Sequence, residues 1–262
     1  MPEKPLISFI TVNLNDVEGL KRTMFSIFGQ IWQKFEYIVI DGGSIDGSRE
    51  FIESHSNKID YWVSEKDSGI YNAMNKGIKA ANGEYLLFLN SGDHLFGNQV
   101  LSKNIHELGF FDLVYFNIQI INKNNVHIIS YPSHLRFTDL FYGTLCHQCV
   151  FIKKTLFAEI SLYDENLKIV SDWKFLILAL FKFNCSYKKV DNLLSTYYSD
   201  GISADNQNEQ IIMEERQRVL KKYFENFFYE MDELNELRST IKNLKGSKKI
   251  NLLIKFGLLN KF

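Results

Sequence analysis

Of 262 residues only three are proline and three are cysteine, and no low-complexity tract occurs. So little proline, with no biased segment, excludes a disordered or linker-rich chain. Three cysteines, an odd number, build no disulfide framework and point to a reducing, cytoplasmic setting. The formal charge is −1, which removes a whole-surface electrostatic grip on nucleic acid. No apolar run reaches the roughly 18 residues that a membrane-spanning helix needs. The stretch Phe175–Phe181 reads as a buried helix segment instead. Met1–Lys4 leads straight into the apolar run Leu6–Val12 with no cleavage pattern, so no secretory signal is expected. What remains is ordinary globular composition, 45% hydrophobic and 23% charged, long enough for one α/β domain with a sizeable core.

Charge is distributed unevenly. Residues 238–262 carry seven basic side chains (Arg238, Lys242, Lys245, Lys248, Lys249, Lys255 and Lys261) and no acidic one. The rest of the chain holds 23 basic and 31 acidic residues. Lysines threaded among Ile250, Leu253, Ile254 and Phe256 at near-helical spacing suit a helix lying on an anionic membrane surface. That reading puts the protein at the inner face of the cell membrane. The same pattern suits a C-terminal helix docked on the domain with a solvated lysine face.

The first half alternates strand and helix signals. Strands are expected at Leu6–Asn13, Glu36–Ile40, Ile59–Val63 and Glu84–Leu89. Between them helices are expected at Val17–Gln30, Ile45–Ser54 and Ile70–Ala81, the last closed by Asn82-Gly83. Helices of this length between strands imply parallel crossovers. The second half is less regular, with paired strands at Phe111–Ile121 and Val126–Tyr131 around the turn Asn122–Asn125. Further strands are expected at His147–Ile152, Ser186–Val190 and Leu193–Tyr198, a helix at Asp172–Phe183, and helical structure from Asn208 onward with a break near Gly246.

In parallel sheets ligands bind beyond the carboxyl ends of the strands. Polar clusters sit at those ends here: Thr11-Val12-Asn13, Asp41-Gly42-Gly43-Ser44, Ser64-Glu65-Lys66-Asp67 and Asn90-Ser91-Gly92-Asp93. Four such clusters on one rim make a site. Asp41 can accept hydrogen bonds from a base or a ribose, while Asp46 suits a helix cap. Asp93 can hold a hard divalent cation through oxygen, or cap a helix. Asp172, opening an apolar helix, reads either as an N-cap or as a general base for an acceptor hydroxyl. The spacing Cys146-His147-Gln148-Cys149 lacks the second cysteine pair of a zinc site, so both cysteines read as structural. Tyr61, Trp62, Tyr71, Tyr197 and Tyr198 lie near rim segments where rings can stack on a base or sugar.

In this order the clusters resemble the inverting glycosyltransferases of family 2, which have the GT-A fold. The resemblance rests on Ile7–Asn13, Tyr37–Ser48, Ser64–Gly77 and Gly83–Asp93. It is close to about residue 95, looser over 145–205, and absent from the helical tail. It implies an α/β fold whose Rossmann-like, mostly parallel central sheet carries helices on both faces, with a C-terminal helical extension. The implied GT-A domain covers residues 1–205, divided into a nucleotide-sugar half (1–95) and an acceptor half (96–205). The extension covers 206–262. It further implies a nucleotide-sugar donor, a UDP-sugar, bound by Thr11, Asn13, Asp41 and Asp67, with Lys76, Ser91 and Gly92 at the donor pocket.

On the same resemblance Asp93 holds Mn²⁺ or Mg²⁺ against the diphosphate, although Asn90, Ser91 and Gly92 stand where the family's motif carries further acids. Asp172 falls at the position of the family's catalytic base. His147 and Gln148 are candidates for acceptor contact, and Gly201 and Ser203 for a lid. The implied acceptor is a saccharide or lipid-linked saccharide of cell-surface polysaccharide assembly. Two other readings compete. A nucleotidyltransferase calls for a basic glycine-rich loop, which residues 13–19 lack. A non-catalytic nucleotide-sugar-binding protein with a decayed metal site fits the missing acids, and is opposed by the intact Asp41, Asp67, Asp93 and Asp172.

Overall fold

The apolar run near the N-terminus forms β1 (Ile7–Asn13), in which all seven residues are buried, as befits a strand covered on both faces. The computed structural model describes residues 4–122, 125–199 and 206–260. After β1 come α1 (Val17–Phe28), the wholly buried β2 (Glu36–Asp41), α2 (Ser48–Ser54), β3 (Tyr61–Ser64), α3 (Ile70–Ala80) and β4 (Tyr85–Phe88). All four strands are parallel, with β1 between β2 and β4 and β3 outside β2. The chain therefore steps one way from β1 to β3 and then returns past β1 to β4. Right-handed crossovers place α1 and α2 on one face and α3 on the other.

The second half continues the sheet. It contains β5 (His94–Leu95), α4 (Val100–Asn104), β6 (Leu113–Asn122), β7 (Asn125–Ile129), α5 (Phe137–Tyr142), β8 (Val150–Lys153), α6 (Thr155–Glu159), α7 (Ser171–Phe181) and β9 (Tyr187–Tyr198). The strand order is β3-β2-β1-β4-β8-β6-β9-β5, with β7 paired to β6. Strand β8 runs antiparallel to β4 and to β6, while β9 is parallel to β6. The result is a mixed α/β domain whose N-terminal half is all parallel.

Helix α7 is apolar around its circumference, and nine of its 11 residues are buried, which makes it a core helix. The Phe157 and Phe175 rings stack at 4.3 Å and pack with Tyr163 and Phe88, so that α6 and α7 are pinned to β4. Trp173 Nε1 donates to Leu140 O at 2.7 Å.

Four local expectations change. His147–Cys149 is a 3₁₀ turn and the strand starts only at Val150. The two short strands expected at Ser186–Val190 and Leu193–Tyr198 are one strand, because register shifts against β6 on either side of Asn117 absorb Asp191, Asn192 and Leu194. Helix α2 starts at Ser48, since Asp46 spends its carboxylate on Val17 N at 2.8 Å and Ser48 N at 3.1 Å. Gly83 is not a helix stop: α3 closes through an extended Ala81. A Cβ on Gly83 would lie 2.5 Å from the backbone nitrogen of Ser8, so glycine is required for close approach to β1. Beside it Asn82 donates to Glu36 from both its backbone and its side chain at 2.7 Å.

By internal contacts the chain divides into two compact units, Met1–Ile212 and Met213–Phe262. Helix α8 (Glu209–Tyr223) crosses that division, and α9 (Glu225–Gly246) and α10 (Lys248–Lys255) follow. Ser247 separates the last two and caps α10 with its side chain. Among the described residues no helix is long and apolar enough to cross a membrane.

Candidate active site

The order of the strands reverses between β1 and β4, and open α/β sheets bind ligands at such a switch point. The ends of these two strands are tied together there. Ser91 Oγ donates to Asn13 Oδ1 at 2.7 Å and Ser91 N to Val12 O at 3.1 Å. A cavity of about 430 Å³ opens above this junction, within the size range of small-molecule sites. Asn13, Asp67, Ser91, Asp93, His147, Gln148 and Asp172 all line it, together with Tyr71, Tyr197 and Tyr198. Residues far apart in sequence thus face one space.

Thr11, Asp41, Lys76 and Gly92 are not among the lining residues. Thr11 is fully buried and accepts from the Tyr37 hydroxyl at 3.0 Å. Lys76 pairs with Glu65 at 2.7 Å. Asp41 is fully buried with both oxygens engaged. Oδ1 accepts from Asn13 Nδ2 at 2.7 Å and Ser44 Oγ at 2.5 Å. Oδ2 accepts from Ser64 Oγ at 2.6 Å and Ser44 N at 2.9 Å. Burial works to raise its pKa, but these donors outweigh burial and hold it below the ordinary 3.8. Asp41 is thus a strut that orients Asn13. Gly92 sits at φ +98° and its carbonyl accepts from Arg22 Nη1 at 3.1 Å. Gly201 and Ser203 lie outside the described residues.

Asp67 comes to the rim because Gly42 lacks a side chain: a Cβ there would meet Asp67 Oδ2 at 2.6 Å. On the opposite wall, the turn after β4 is fastened to α1. Thr23 Oγ1 lies 2.6 Å from Asp93 O and 3.1 Å from Asn90 O, and accepts from Gly92 N at 3.1 Å. This turn holds Asp93 only 5% exposed. Its Oδ2 accepts from Gln148 Nε2 at 2.9 Å.

Asp172 sits in the first turn of α7 but does not cap it. The N-cap is Val170, without a side-chain hydrogen bond, and Ser171 Oγ instead accepts from Asp164 N at 2.5 Å. The Asp172 carboxylate turns to the cavity. His147 Nδ1 is 3.0 Å from its Oδ2, and the Tyr71 hydroxyl is 2.9 Å from its Oδ1. Burial raises the Asp172 pKa, yet the hydrogen bonds from His147, Tyr71 and the Trp173 backbone bring it below the usual aspartate value. It is therefore ionised at neutral pH and ready to take a proton. Tyr71, singled out in the sequence as a stacking ring, presents its hydroxyl here, 2.5 Å from Ile169 O and 2.9 Å from Asp172 Oδ1, so that its one proton serves both acceptors. Its ring packs on Tyr163 at 5.6 Å, and no local sequence signal announces its bond to a residue 101 positions away.

Among the described residues no three His, Cys, Asp or Glu side chains converge to hold a metal ion. Asp93 is the one acid of the Asn90–Asp93 turn. Mg²⁺ is usually bound by one or two carboxylates, with phosphate oxygens and water completing the shell. The donor set therefore fits a cation that arrives with a diphosphate, rather than one caged by protein alone. Burial raises the thiol of Cys146 to about 11 and that of Cys149 well above its ordinary value, so both are inert as nucleophiles.

The fold and this rim define a GT-A architecture. Residues 8–159 match the family described as Glycosyl transferase family 2, and the chain belongs to that family. An uncharacterised glycosyltransferase of Mycobacterium tuberculosis is 34% identical over 185 residues, 68% of this chain and 70% of that protein. A PGL/p-HBAD biosynthesis glycosyltransferase of Mycobacterium bovis is 30% identical over 177 residues, 65% of this chain and 68% of that one. Among solved structures, S. aureus TarS 1–349 in complex with UDP-GlcNAc superposes with a TM-score of 0.64 at 16% identity, covering 83% of this chain and 67% of that one. The chain spans 42% of the longer TarS structure. A Pyrobaculum calidifontis mannosyltransferase in complex with GDP-Man and Mn²⁺ gives 0.58 at 13% identity, covering 87% and 65%.

Proposed function

We propose that the protein transfers a sugar, with inversion, from a UDP-sugar to a hydroxyl of a saccharide or lipid-linked saccharide in cell-surface glycan assembly. The observation that carries this reading is the presence of Asp67, Asp93 and Asp172 on the walls of one cavity at the β1–β4 switch point. Asn13, steadied by Asp41, and Asp67 present polar atoms to the nucleoside. Asp172 accepts the proton of the acceptor hydroxyl as that oxygen bonds to the anomeric carbon. The bond from this carbon to the diphosphate oxygen breaks, and its electron pair leaves with the nucleoside diphosphate. Asp93 is the residue that would hold Mn²⁺ or Mg²⁺, which when bound neutralises charge on the leaving diphosphate. Positioning of both substrates supplies much of the remaining acceleration.

The relatives support the reading at a coarser level. The M. bovis protein is named for PGL/p-HBAD biosynthesis, and TarS was solved with UDP-GlcNAc. The basic, apolar pattern of 238–262 adds a peripheral seat on anionic lipid at the inner face of the membrane. The ordered hydrogen bonds around Asp172 favour a working site over a decayed binding protein. The test is incubation with a panel of UDP- and GDP-sugars plus Mn²⁺ and saccharide acceptors, following nucleoside diphosphate release. Release that depends on one donor and on acceptor supports the proposal; no release across the panel, with no donor bound by calorimetry, overturns it.

A further inference from the structure

Asn90 takes the position where the family's motif carries an acid, and the structure shows what it meets. It follows β4, lines the cavity and places Nδ2 3.3 Å from His147 Nε2. On the other side of the same ring, His147 Nδ1 reaches Asp172 Oδ2 at 3.0 Å. The Asn90 amide is placed with Nδ2 toward Nε2 and with Oδ1 buried without a partner among the described residues; in this orientation the amide donates, Nε2 presents its lone pair and the ring proton resides on Nδ1. From Nδ1 that proton is donated to Asp172. The tautomer follows from the hydrogen-bond network rather than from a visible hydrogen.

We propose that Asn90 and His147 form a positioning pair for the base. Asn90 fixes His147 in its neutral Nδ1–H form, and His147 in turn orients the Asp172 carboxylate from Oδ2, as Tyr71 does from Oδ1. A carboxylate offers about four acceptor sites, so both donors leave room for an acceptor hydroxyl. The choice of amide at position 90 has a chemical reason in this arrangement. An acid there would accept from Nε2, hold a proton on both ring nitrogens and create an imidazolium beside Asp172. A full positive charge at 3.0 Å favours the ionised form of a carboxylate and weakens it as a base. The charged groups lining the cavity with the pair are Asp16, Asp67, Asp93, Lys168 and Asp172, the last also bonded by Tyr71. The role in transfer rests on the function proposed above; the tautomer does not.

The experiment therefore has two arms on the full chain. The first reads the ¹⁵N resonances of His147 at neutral pH without substrate. The wild type is expected to show one protonated and one unprotonated ring nitrogen, with the proton on Nδ1, and Asn90→Asp to show both protonated. An Nε2–H wild type, or an unchanged ring in Asn90→Asp, overturns the proposal whatever the enzyme does. The second arm reads nucleoside diphosphate release with the donor found by the panel. His147→Asn keeps an N–H near the Nδ1 position, whereas His147→Gln places its amide near Nε2.

Loss of a hydrogen bond to a charged group is expected to lower kcat about 10- to 100-fold in His147→Gln, with KM for the donor little changed. His147→Asn is expected to recover most of that loss. Equal rates in both variants, or a loss confined to KM, contradicts positioning of the base. If the panel gives no turnover in the wild type, the functional reading fails while the first arm still decides the tautomer.

Discussion

Gln148 Nε2 stands 2.9 Å from Asp93 Oδ2. Gln148 is held in turn by its backbone carbonyl, which accepts from Ser195 Oγ on β9 at 2.7 Å. Its chain neighbour His147 holds Asp172. One 3₁₀ turn therefore fixes two carboxylates that arrive from different halves of the sequence. This explains why His147–Cys149 leaves the extended conformation before β8: a strand would send successive side chains to opposite faces.

The bond to Asp93 gives the first prediction. Gln148→Leu keeps the volume and removes the donor that orients the carboxylate. Supporting contacts of this kind commonly change metal affinity by about 10- to 100-fold. In a Mn²⁺ titration of turnover the half-saturating concentration is expected to rise by that factor, while turnover at saturating Mn²⁺ stays within several-fold. An unmoved titration curve contradicts a role for Gln148 in seating Asp93.

Asp41 makes a prediction about acid stability. Its folded pKa is lowered below 3.8, whereas in the unfolded chain it is near the ordinary aspartate value. Between the two values the unfolded state binds more protons, so stability rises with pH across that window. The contribution is complete above the unfolded value and is lost as pH falls through the folded one. Asp41→Asn should therefore flatten the decline of unfolding free energy below about pH 4 relative to the wild type. Chemical denaturation at a series of pH values checks this; parallel curves refute it.

Close packing of α3 on β1 gives a third. A Cβ at Gly77 would lie 2.4 Å from Ile10 Cγ2, and Ile10 is fully buried. Gly77→Ala should cost about 1–3 kcal/mol through overpacking. Gly246→Ala, where the added Cβ meets nothing within 4 Å, should stay within about 0.5 kcal/mol. Denaturant midpoints of the two variants measure the contrast, and equal effects contradict it.

The tail supplies a fourth. Within α10, Leu252 is 54% and Leu253 38% exposed beside Lys248, Lys249 and Lys255. Changing the three lysines to glutamate should abolish co-sedimentation with vesicles rich in anionic lipid and leave folding intact. Undiminished sedimentation contradicts the peripheral seat.

Much of this architecture was legible because the first four strands are short apolar runs that end in polar clusters at Asn13, Asp41, Asp67 and Asp93. Burial on both faces writes that pattern directly into the sequence of β1, β2 and β4, while β3 at the sheet edge stays partly exposed. The part that was not legible is long-range. Asn90, His147, Asp172 and Tyr71 form one chain of contacts across separations of 57, 25 and 101 positions, and no local periodicity encodes such pairs. From its own residues Asp172 read more readily as a helix cap, because a cap and a base want the same residue at a helix start, and only the family resemblance pointed to the base. The two-residue β5 and the register shifts of β9 escaped for the opposite reason. Their form is set by pairing with β9 and β6 respectively, not by their own side chains.

The central claim is that Asp172 takes the acceptor's proton, and Asp172→Asn tests it most directly. The substitution keeps the side chain's shape beside His147 and Tyr71 but removes its basicity. With the donor identified by the panel, acceptor-dependent nucleoside diphosphate release should fall about 10²- to 10⁴-fold, the usual span for a general base, while donor affinity by calorimetry stays unchanged. Turnover near the wild-type rate, with donor bound as before, would contradict the account.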